Sequence, residues 1–355
     1  MRNCAVQIGG FHDEKVLLPS SERTEMRAHR NANRDRLRKT LSDNDKPAPD
    51  AFHSQGSYAM RTMVQHAEND YDIDDGVYFD KEKLVRAQGG EMSGLQARQM
   101  ICDALQDRRF NKQPEVRPNC VRVYYDQGYH VDVPAYRRIA QIDPWTNTEK
   151  NKYELASTEW KQSDAREVTT WFHQQNETLS PDADGTEGAG QFCRIVRLLK
   201  AFARSRVSWK QSIGTGFMIT KLVSEQFFPS EGRDDNSLRE TMKRIQSRLV
   251  TNKSINHPVL NEQLTYEDDA RPEFFRAKLE ENLEHLNVLD EQRCLFGDAM
   301  AAWDNVFNTD WFSQQSEPDD DGPSGGRGPS GIIVGGGPSR PVDKRGGGRY
   351  ARRML

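Results

Sequence analysis

The chain has little of what marks a secreted, membrane-bound or zinc-stapled protein. Its five cysteines, Cys4, Cys102, Cys120, Cys193 and Cys294, are odd in number, widely spaced, and form no C-x-x-C pair. That pattern argues against a disulfide framework and a zinc ribbon, and reads as ordinary reduced thiols in a cytoplasmic protein. No apolar run approaches the ~20 residues needed to cross a bilayer, and the N-terminus lacks a signal-peptide core. A cytoplasmic location with no membrane partner is the expectation. Charge of one sign is also missing: 50 Lys and Arg against 54 Asp and Glu leave a net −4. The protein as a whole is therefore no basic nucleic-acid binder. There is no internal repeat, and from Ser316 onward the chain has few groups able to build a core.

What is present is enough for a sizeable fold. Across 355 residues, 35% are hydrophobic, and 15 Phe, 10 Tyr and 6 Trp supply large buried areas. That length suggests two or three domain-sized units, or one globule whose two lobes share a cleft. Residues 1–50 are polar and mostly helical in pattern. Ser21 to Leu41 holds no Gly or Pro, and Met26, Ala28, Leu37 and Leu41 make a thin apolar stripe beside seven basic residues from Arg23 to Lys39. This reads as a solvated helix lying across the body rather than a nucleic-acid contact. Residues 51–140 look like an α/β unit: a Gln55-Gly56-Ser57 turn, an alternating strand from Tyr71 to Phe79, and a helix over 93–109 capped by Ser93. Leu95, Met100, Ile101, Ala104 and Leu105 give that helix its apolar spacing. A hairpin follows, Val121–Tyr125 and Tyr129–Val133 around Asp126-Gln127-Gly128. Residues 150–310 read as mostly helical, with starts at Ser163-Asp164 and a long helix from Pro272 to Leu289.

The chemistry sits in the first unit. Side chains alternate faces along a strand, so Asp72 and Asp74 point one way while Tyr71 and Ile73 face a core. Two carboxylates that close repel unless a cation joins them, and Mg²⁺ takes hard oxygen ligands while leaving room for phosphate. Gly56-Ser57, a turn leading into a helix, offers backbone N–H groups and a hydroxyl to phosphates. On the hairpin, Asp132 shares a face with His130 and reaches the first pair if the strands are neighbours. Taken alone, Asp132 is equally a surface strand residue, and His130 is read as an ordinary partly buried or surface histidine. The ordered set of turn, helix, paired aspartates, helix and later strand aspartate is far more specific than any of its parts.

Gly56-Ser57 with Asp72-x-Asp74 and Asp132 resembles the nucleotidyltransferase core of the polymerase-β superfamily. The string Tyr71-Asp-Ile-Asp-Asp-Gly-Val-Tyr-Phe79 is similar to the bacterial cGAS/DncV-like nucleotidyltransferases. Glu154-Leu-Ala-Ser157, Ser163–Phe172 and Arg197-Leu-Leu-Lys-Ala-Phe202 resemble later segments of that family, so the likeness runs over residues 15–310. The resemblance implies an α+β fold. A polymerase-β-like lobe with a mixed sheet and N-terminal helix would span 1–150, and a mostly helical lobe 151–315. The active site would lie in the cleft between them. Residues 316–355 lie outside the likeness, and their Gly/Pro/Ser/Arg-rich composition by itself reads as a disordered tail.

It also implies a reaction: joining ATP, with GTP or other NTPs as further candidates, into a cyclic di- or trinucleotide with loss of pyrophosphate. Such products are second messengers in bacterial anti-phage (CBASS) signalling, acting on a downstream effector. On this reading Asp72, Asp74 and Asp132 bind two Mg²⁺ ions, which Mn²⁺ can replace, and Asp132 helps take the proton of the attacking ribose hydroxyl. Gly56 and Ser57 hold phosphates. Lys200 matches a family lysine that reaches the triphosphate, though by itself it is also a solvent-facing lysine beside the Leu198/Leu199 stripe. Thr215, with Ser212 in reserve, stands where the family has a phosphate-touching hydroxyl. Gln55 is placed with the nucleotide-binding residues; like Tyr58, Arg61 and Arg122 it serves equally well as a structural residue. In related systems the C-terminus can be handled by a conjugating partner, but an ending in Met354-Leu355 favours a solvated tail. With no zinc-binding His/Cys insertion, activity without DNA is expected. Transfer of a nucleotide to protein or RNA, or an inactive nucleotide-binding sensor, are the alternative readings.

Overall fold

The alternating stretch becomes the spine of the first lobe. In the computed structural model, which describes residues 1–66, 71–186, 188–266 and 268–317, strand β2 (Asp72–Asp80) has partners on both sides. On one edge lies β1 (Ala51–Gln55), antiparallel, with Gln55 opposite Asp74. On the other edge β5 (His130–Val133) and β6 (Ala135–Ile142) run parallel to it in succession, and the Val77 N–H donates to Pro134 O at the break between them. Antiparallel β3 (Glu115–Val116) and β4 (Val121–Tyr124) extend the sheet beyond β5. β7 (Glu149–Ala156) and β8 (Trp160–Gln162) extend it beyond β6, giving eight strands in a mixed sheet.

One face of this sheet is apolar. Ile73, Val77 and Phe79 on β2, Val131 and Val133 on β5, and Val121 and Val123 on β4 are buried against helices α2 (Ser20–Asp43) and α4 (Gly94–Leu105). The expected stripe on α2 holds at Met26, Leu37 and Leu41, while Ala28 is exposed. Its arginines are less solvated than the sequence suggests. Arg34 grips Asp75, Arg36 pairs with Asp107, Arg30 donates to Ser54 Oγ and Arg27 to the Tyr58 hydroxyl. On α4 the Ser93 cap forms, as a reciprocal box with Gln96. The helix stops at Leu105 rather than 109, because Gln106 turns extended. Leu95 is 55% exposed: the buried stripe follows Ala97, Ile101, Ala104 and Leu105, and Leu95 lies on the far side of it.

The second core is helical. Helix α6 (Gln191–Arg204) runs through it buried on nearly all sides, packed by α5 (Ala165–Leu179), α7 (Gly216–Gln226), α8 (Asp234–Thr251) and α10 (Phe296–Phe307). α9 (Ala270–His285) closes it against α8, and the short β9 (Ile255–Asn256) and β10 (Gln263–Thr265) form a separate two-stranded ribbon. The first residues of the chain join this lobe, not the sheet. Cys4 just before α1 (Ala5–Phe11), Ile8 and Phe11 on it, and Val16 in the turn after it pack with Phe307, Trp311 and Phe312. Residues 1–315 form one compact unit. No helix of the described residues is long and apolar enough to cross a membrane. The tail reading falls almost wholly on 318–355, outside the described residues.

Candidate active site

Register decides which side chains meet. Parallel pairing sets Asp72 beside His130, Ile73 beside Val131 and Asp74 beside Asp132. Partners in register share a face, so the two β2 aspartates, His130 and Asp132 all stand on the face opposite the α2–α4 core. Ligand atoms of Asp72, His130 and Asp132 come within 4.8 Å of one another. His130 Nε2 lies 3.8 Å from Asp72 Oδ2. The sequence reading gave His130 no role; the register puts it in the cluster.

Asp74 completes the face but lies outside that tight group, against the turn. Gly56 has φ +64, and a Cβ there would stand 2.1 Å from Asp74 Oδ2. Glycine is thus needed twice, for the left-handed backbone and for the carboxylate's space. The helix after the turn, α3 (Gly56–Ala59), is one turn of four residues, so its dipole is small and anion binding falls to N–H groups and side chains. Ser57 lines the cleft with no side-chain hydrogen bond among the described residues.

Asp132 is held from the other side. Arg122, opposite it on β4, donates Nε–H and one terminal N–H to its two oxygens, both at 2.8 Å. Such a planar two-point pair fixes the carboxylate's orientation, which gives Arg122 a positioning part that the sequence left open. Asp72 and Asp74 carry no Arg or Lys ion pair among the described residues. Burial first, then the Asp132 charge, raises Asp72 above the usual carboxylate range; burial first, then Asp72 and Asp132, raises Asp74 well above it. Asp72 and Asp74, crowded, without an Arg or Lys partner among the described residues and open to a cleft, with Asp132 beside them, make an oxygen-rich set that fits a hard divalent cation.

The cleft encloses about 910 Å³, and Gln55, Gly56, Ser57, Asp72, Asp74, Lys200 and Thr215 line it, a volume at the upper end for ligand sites. Asp132 is buried just behind this surface. Lys200 crosses from α6 to the first lobe, where Nζ donates to Thr62 Oγ1 at 2.7 Å. It is buried rather than solvent-facing, and burial, with Arg204 nearby, pushes it down to about 7. Gly216 lets α7 pass close, its missing Cβ 3.3 Å from Lys200 Cε. Thr215 caps α7 by accepting from Met218 N at 3.2 Å, so its O–H stays available to a phosphate. Ser212 is exposed and does not line the cleft. Gln55 Nε2 donates to the Tyr136 hydroxyl, a structural bond at the cleft floor. Arg197, of the same Arg-Leu-Leu-Lys string as Lys200, ties the lobes by donating to Arg61 O and Gly188 O.

Arg204 was missed. It lines the cleft one helical turn after Lys200, with no ion pair among the described residues. The i, i+4 spacing from Lys200 was the available signal.

A sheet whose central strand sets acidic side chains against a Gly-Ser turn, facing a helical lobe that supplies a buried lysine, is the architecture of a nucleotidyltransferase. Residues 50–136 match the family described as "Cyclic GMP-AMP synthase DncV-like, nucleotidyltransferase domain", so the family resemblance read from the sequence holds for this domain. Solved structures agree on the fold well beyond that segment. A Vibrio cholerae di-nucleotide cyclase (DncV) variant in complex with ATP and GTP is similar at 14% identity and TM-score 0.66, over 85% of this chain and 93% of that one. The V. cholerae cyclic AMP-GMP synthase bound to the linear intermediate pppA(3′,5′)pG is similar at 16% identity and TM-score 0.62, over 82% and 92%. An Escherichia coli DncV bound to 3′-deoxy GTP is similar at 17% identity and TM-score 0.59, over 82% and 92%.

Proposed function

We propose that this chain is a Mg²⁺-dependent nucleotidyltransferase. It condenses ATP, with GTP or another NTP, into a cyclic di- or trinucleotide and releases pyrophosphate. The observation that carries the reading is the parallel register of β2 and β5, which gathers Asp72, Asp74 and Asp132 on one face beside the Gly56-Ser57 turn. Asp72, Asp74 and Asp132 would hold two metal ions, which supply charge neutralisation at the attacking and leaving oxygens when bound. The rest is alignment by the chain's own groups, which is most of what phosphoryl transfer demands. Ser57 and the turn N–H groups hold the phosphates, Thr215 donates a further hydroxyl, and Lys200 and Arg204 offset phosphate charge. Arg122 keeps Asp132 oriented toward the attacking hydroxyl, whose proton it accepts. A cyclic rather than a transferred product is supported by the fold shared with proteins whose structures hold ATP with GTP and a linear dinucleotide intermediate.

The test is incubation with Mg²⁺ and all four labelled NTPs, then phosphatase treatment and separation. A phosphatase-resistant product, absent with Asp72→Asn/Asp74→Asn, is expected. Label found only on protein or RNA would replace this reading with nucleotidyl transfer to those acceptors, and absence of any turnover would favour a nucleotide-binding sensor. The resemblance to cGAS/DncV-like enzymes further supports a second messenger acting on a cytoplasmic effector in anti-phage defence. A host expressing the intact system should survive phage better than one carrying the doubly substituted chain, and equal survival would sink that role. With a net charge of −4, turnover should not need duplex DNA; strict dependence on added DNA would contradict this.

A further inference from the structure

The loop between β9 and β10 crosses toward the sheet lobe, and its histidine has no part in the scheme above. A Lys161–Glu262 ion pair of 2.9 Å ties the ribbon to β8. Val259 shares a shallow groove with Asp164, Glu167 and Trp171 at the start of α5. The loop is thus held at both lobes, and His257 within it lines the nucleotide cleft. Its Nδ1 accepts from the backbone N–H groups of Val259 at 3.2 Å and Leu260 at 3.0 Å. A nitrogen that accepts twice carries no proton, so the proton of the neutral ring is on Nε2. The ring stands edge-on to Phe217, centroids 5.4 Å apart. Among the described residues Nε2 has no hydrogen-bond partner. Burial, opposed by Glu262 and aided by Lys161, lowers the group below the ordinary imidazole range, in the same direction as the twice-accepting Nδ1.

We propose that His257 reads the base of one bound nucleotide, selecting a ring carbonyl, guanine O6 or uracil O4, over the exocyclic amine of adenine or cytosine. This deepens, and rests on, the nucleotide-cleft reading. A locked neutral imidazole is a donor only. Guanine presents O6 and uracil O4 as acceptors, whereas adenine and cytosine place an amine donor at that position; N7, an acceptor in both purines, does not tell them apart. Donor against donor leaves both unpaired at that position, and Phe217, the ring packed edge-on against His257, offers no acceptor in its place. A site built on one directed hydrogen bond discriminates against a base that cannot complete it.

Two substitutions separate reading from scaffolding. In His257→Asn the amide oxygen can still accept from the loop N–H groups, but the distal donor is gone. In His257→Gln the amide N–H₂ takes the place of Nε2 and the loop cap is lost. Calorimetric binding of the α,β-methylene analogues of all four NTPs to the full chain with Mg²⁺ is the measurement, with pyrophosphate release from the NTPs followed in parallel. His257→Asn should weaken the guanosine and uridine analogues about tenfold while adenosine and cytidine analogues barely change, and His257→Gln should restore most of the loss. An inosine analogue should follow guanosine, and a 2-aminopurine analogue should follow adenosine. Equal weakening of all four by His257→Asn, or none, overturns the proposal. Pyrophosphate release without a His257-dependent base preference defeats this inference and leaves the transferase reading standing. A His257-dependent preference without pyrophosphate release does the reverse, and failure of every analogue to bind defeats both.

Discussion

Asp74 and Asp75 are neighbours on one strand and live in opposite worlds. Asp75, 2% exposed, is gripped at 2.5 and 2.7 Å by Arg34 of α2 and accepts a further bond from Ser54. Asp74, on the other face, has Asp72 and Asp132 for company, and among the described residues it has no Arg or Lys ion pair, only the more distant charge of Arg122. The same residue type, one pleat apart, is a structural clasp on one side and an unmet electrostatic demand on the other. A buried carboxylate that the fold intends to keep is supplied with a partner; one left uncompensated on a cleft is reserved for something that arrives from outside.

The largest effect that can break this contrast is on activity. Asp74→Asn should lower turnover by at least about 10³-fold, since phosphoryl transfer depends on neutralised charge. The same substitution should leave the metal-free melting temperature unchanged or higher, because it relieves repulsion. Mg²⁺ should raise the wild-type melting temperature and not the variant's. Loss of stability in Asp74→Asn would mean that Asp74 is a clasp after all.

Asp75→Ala should show the opposite signature. Removing one member of a buried pair leaves Arg34 uncompensated, at a cost of about 3–5 kcal/mol, read by urea titration of the purified chain. Response to Mg²⁺, per folded molecule, should persist. If Asp75→Ala is instead neutral to stability, the clasp is no firmer than a surface ion pair.

What was legible divides along the same line. Alternation along a strand is local, so the faces of Asp72, Asp74 and Asp132 could be read before any pairing was known, and the structure sets them on one face. Register is not local, so His130 was passed over, and only its place beside Asp72 brings it in. Arg34–Asp75 joins residues 41 positions apart, so a basic helix looked solvated. The first residues looked like part of the sheet lobe because they are near it in sequence, yet Phe11 packs on Phe307. Lys200 was found by likeness; its burial and its bond to Thr62 could not be read from a pattern.

Lys200 extends the comparison to a cation. Its depressed value, about 7 against an ordinary 10.5, has a definite sign. Between those values the unfolded chain binds a proton that the folded chain does not, so Lys200 contributes a slope of stability rising with pH. Lys200→Met should therefore be more stable than wild type near pH 6, and that difference should shrink as pH rises toward 10. The same variant should bind NTPs more weakly at every pH. A constant stability difference across that range would show that Lys200 keeps its charge in the folded state without a phosphate.

The smallest effect distinguishes the two candidate hydroxyls. Thr215 lines the cleft and caps α7, whereas Ser212 is exposed and does neither. Thr215→Ala should cost about 1 kcal/mol through the lost cap and also raise the KM for NTP. Thr215→Asn separates the two effects: its side-chain oxygen can cap the helix, but its amide is placed differently toward a phosphate, so stability should return without full affinity. Ser212→Ala should change stability by less than about 0.5 kcal/mol and leave KM alone. A KM effect at Ser212 equal to that at Thr215 would require the loop before α7 to rearrange when the triphosphate binds, and the cleft would then be completed by its ligand rather than preformed.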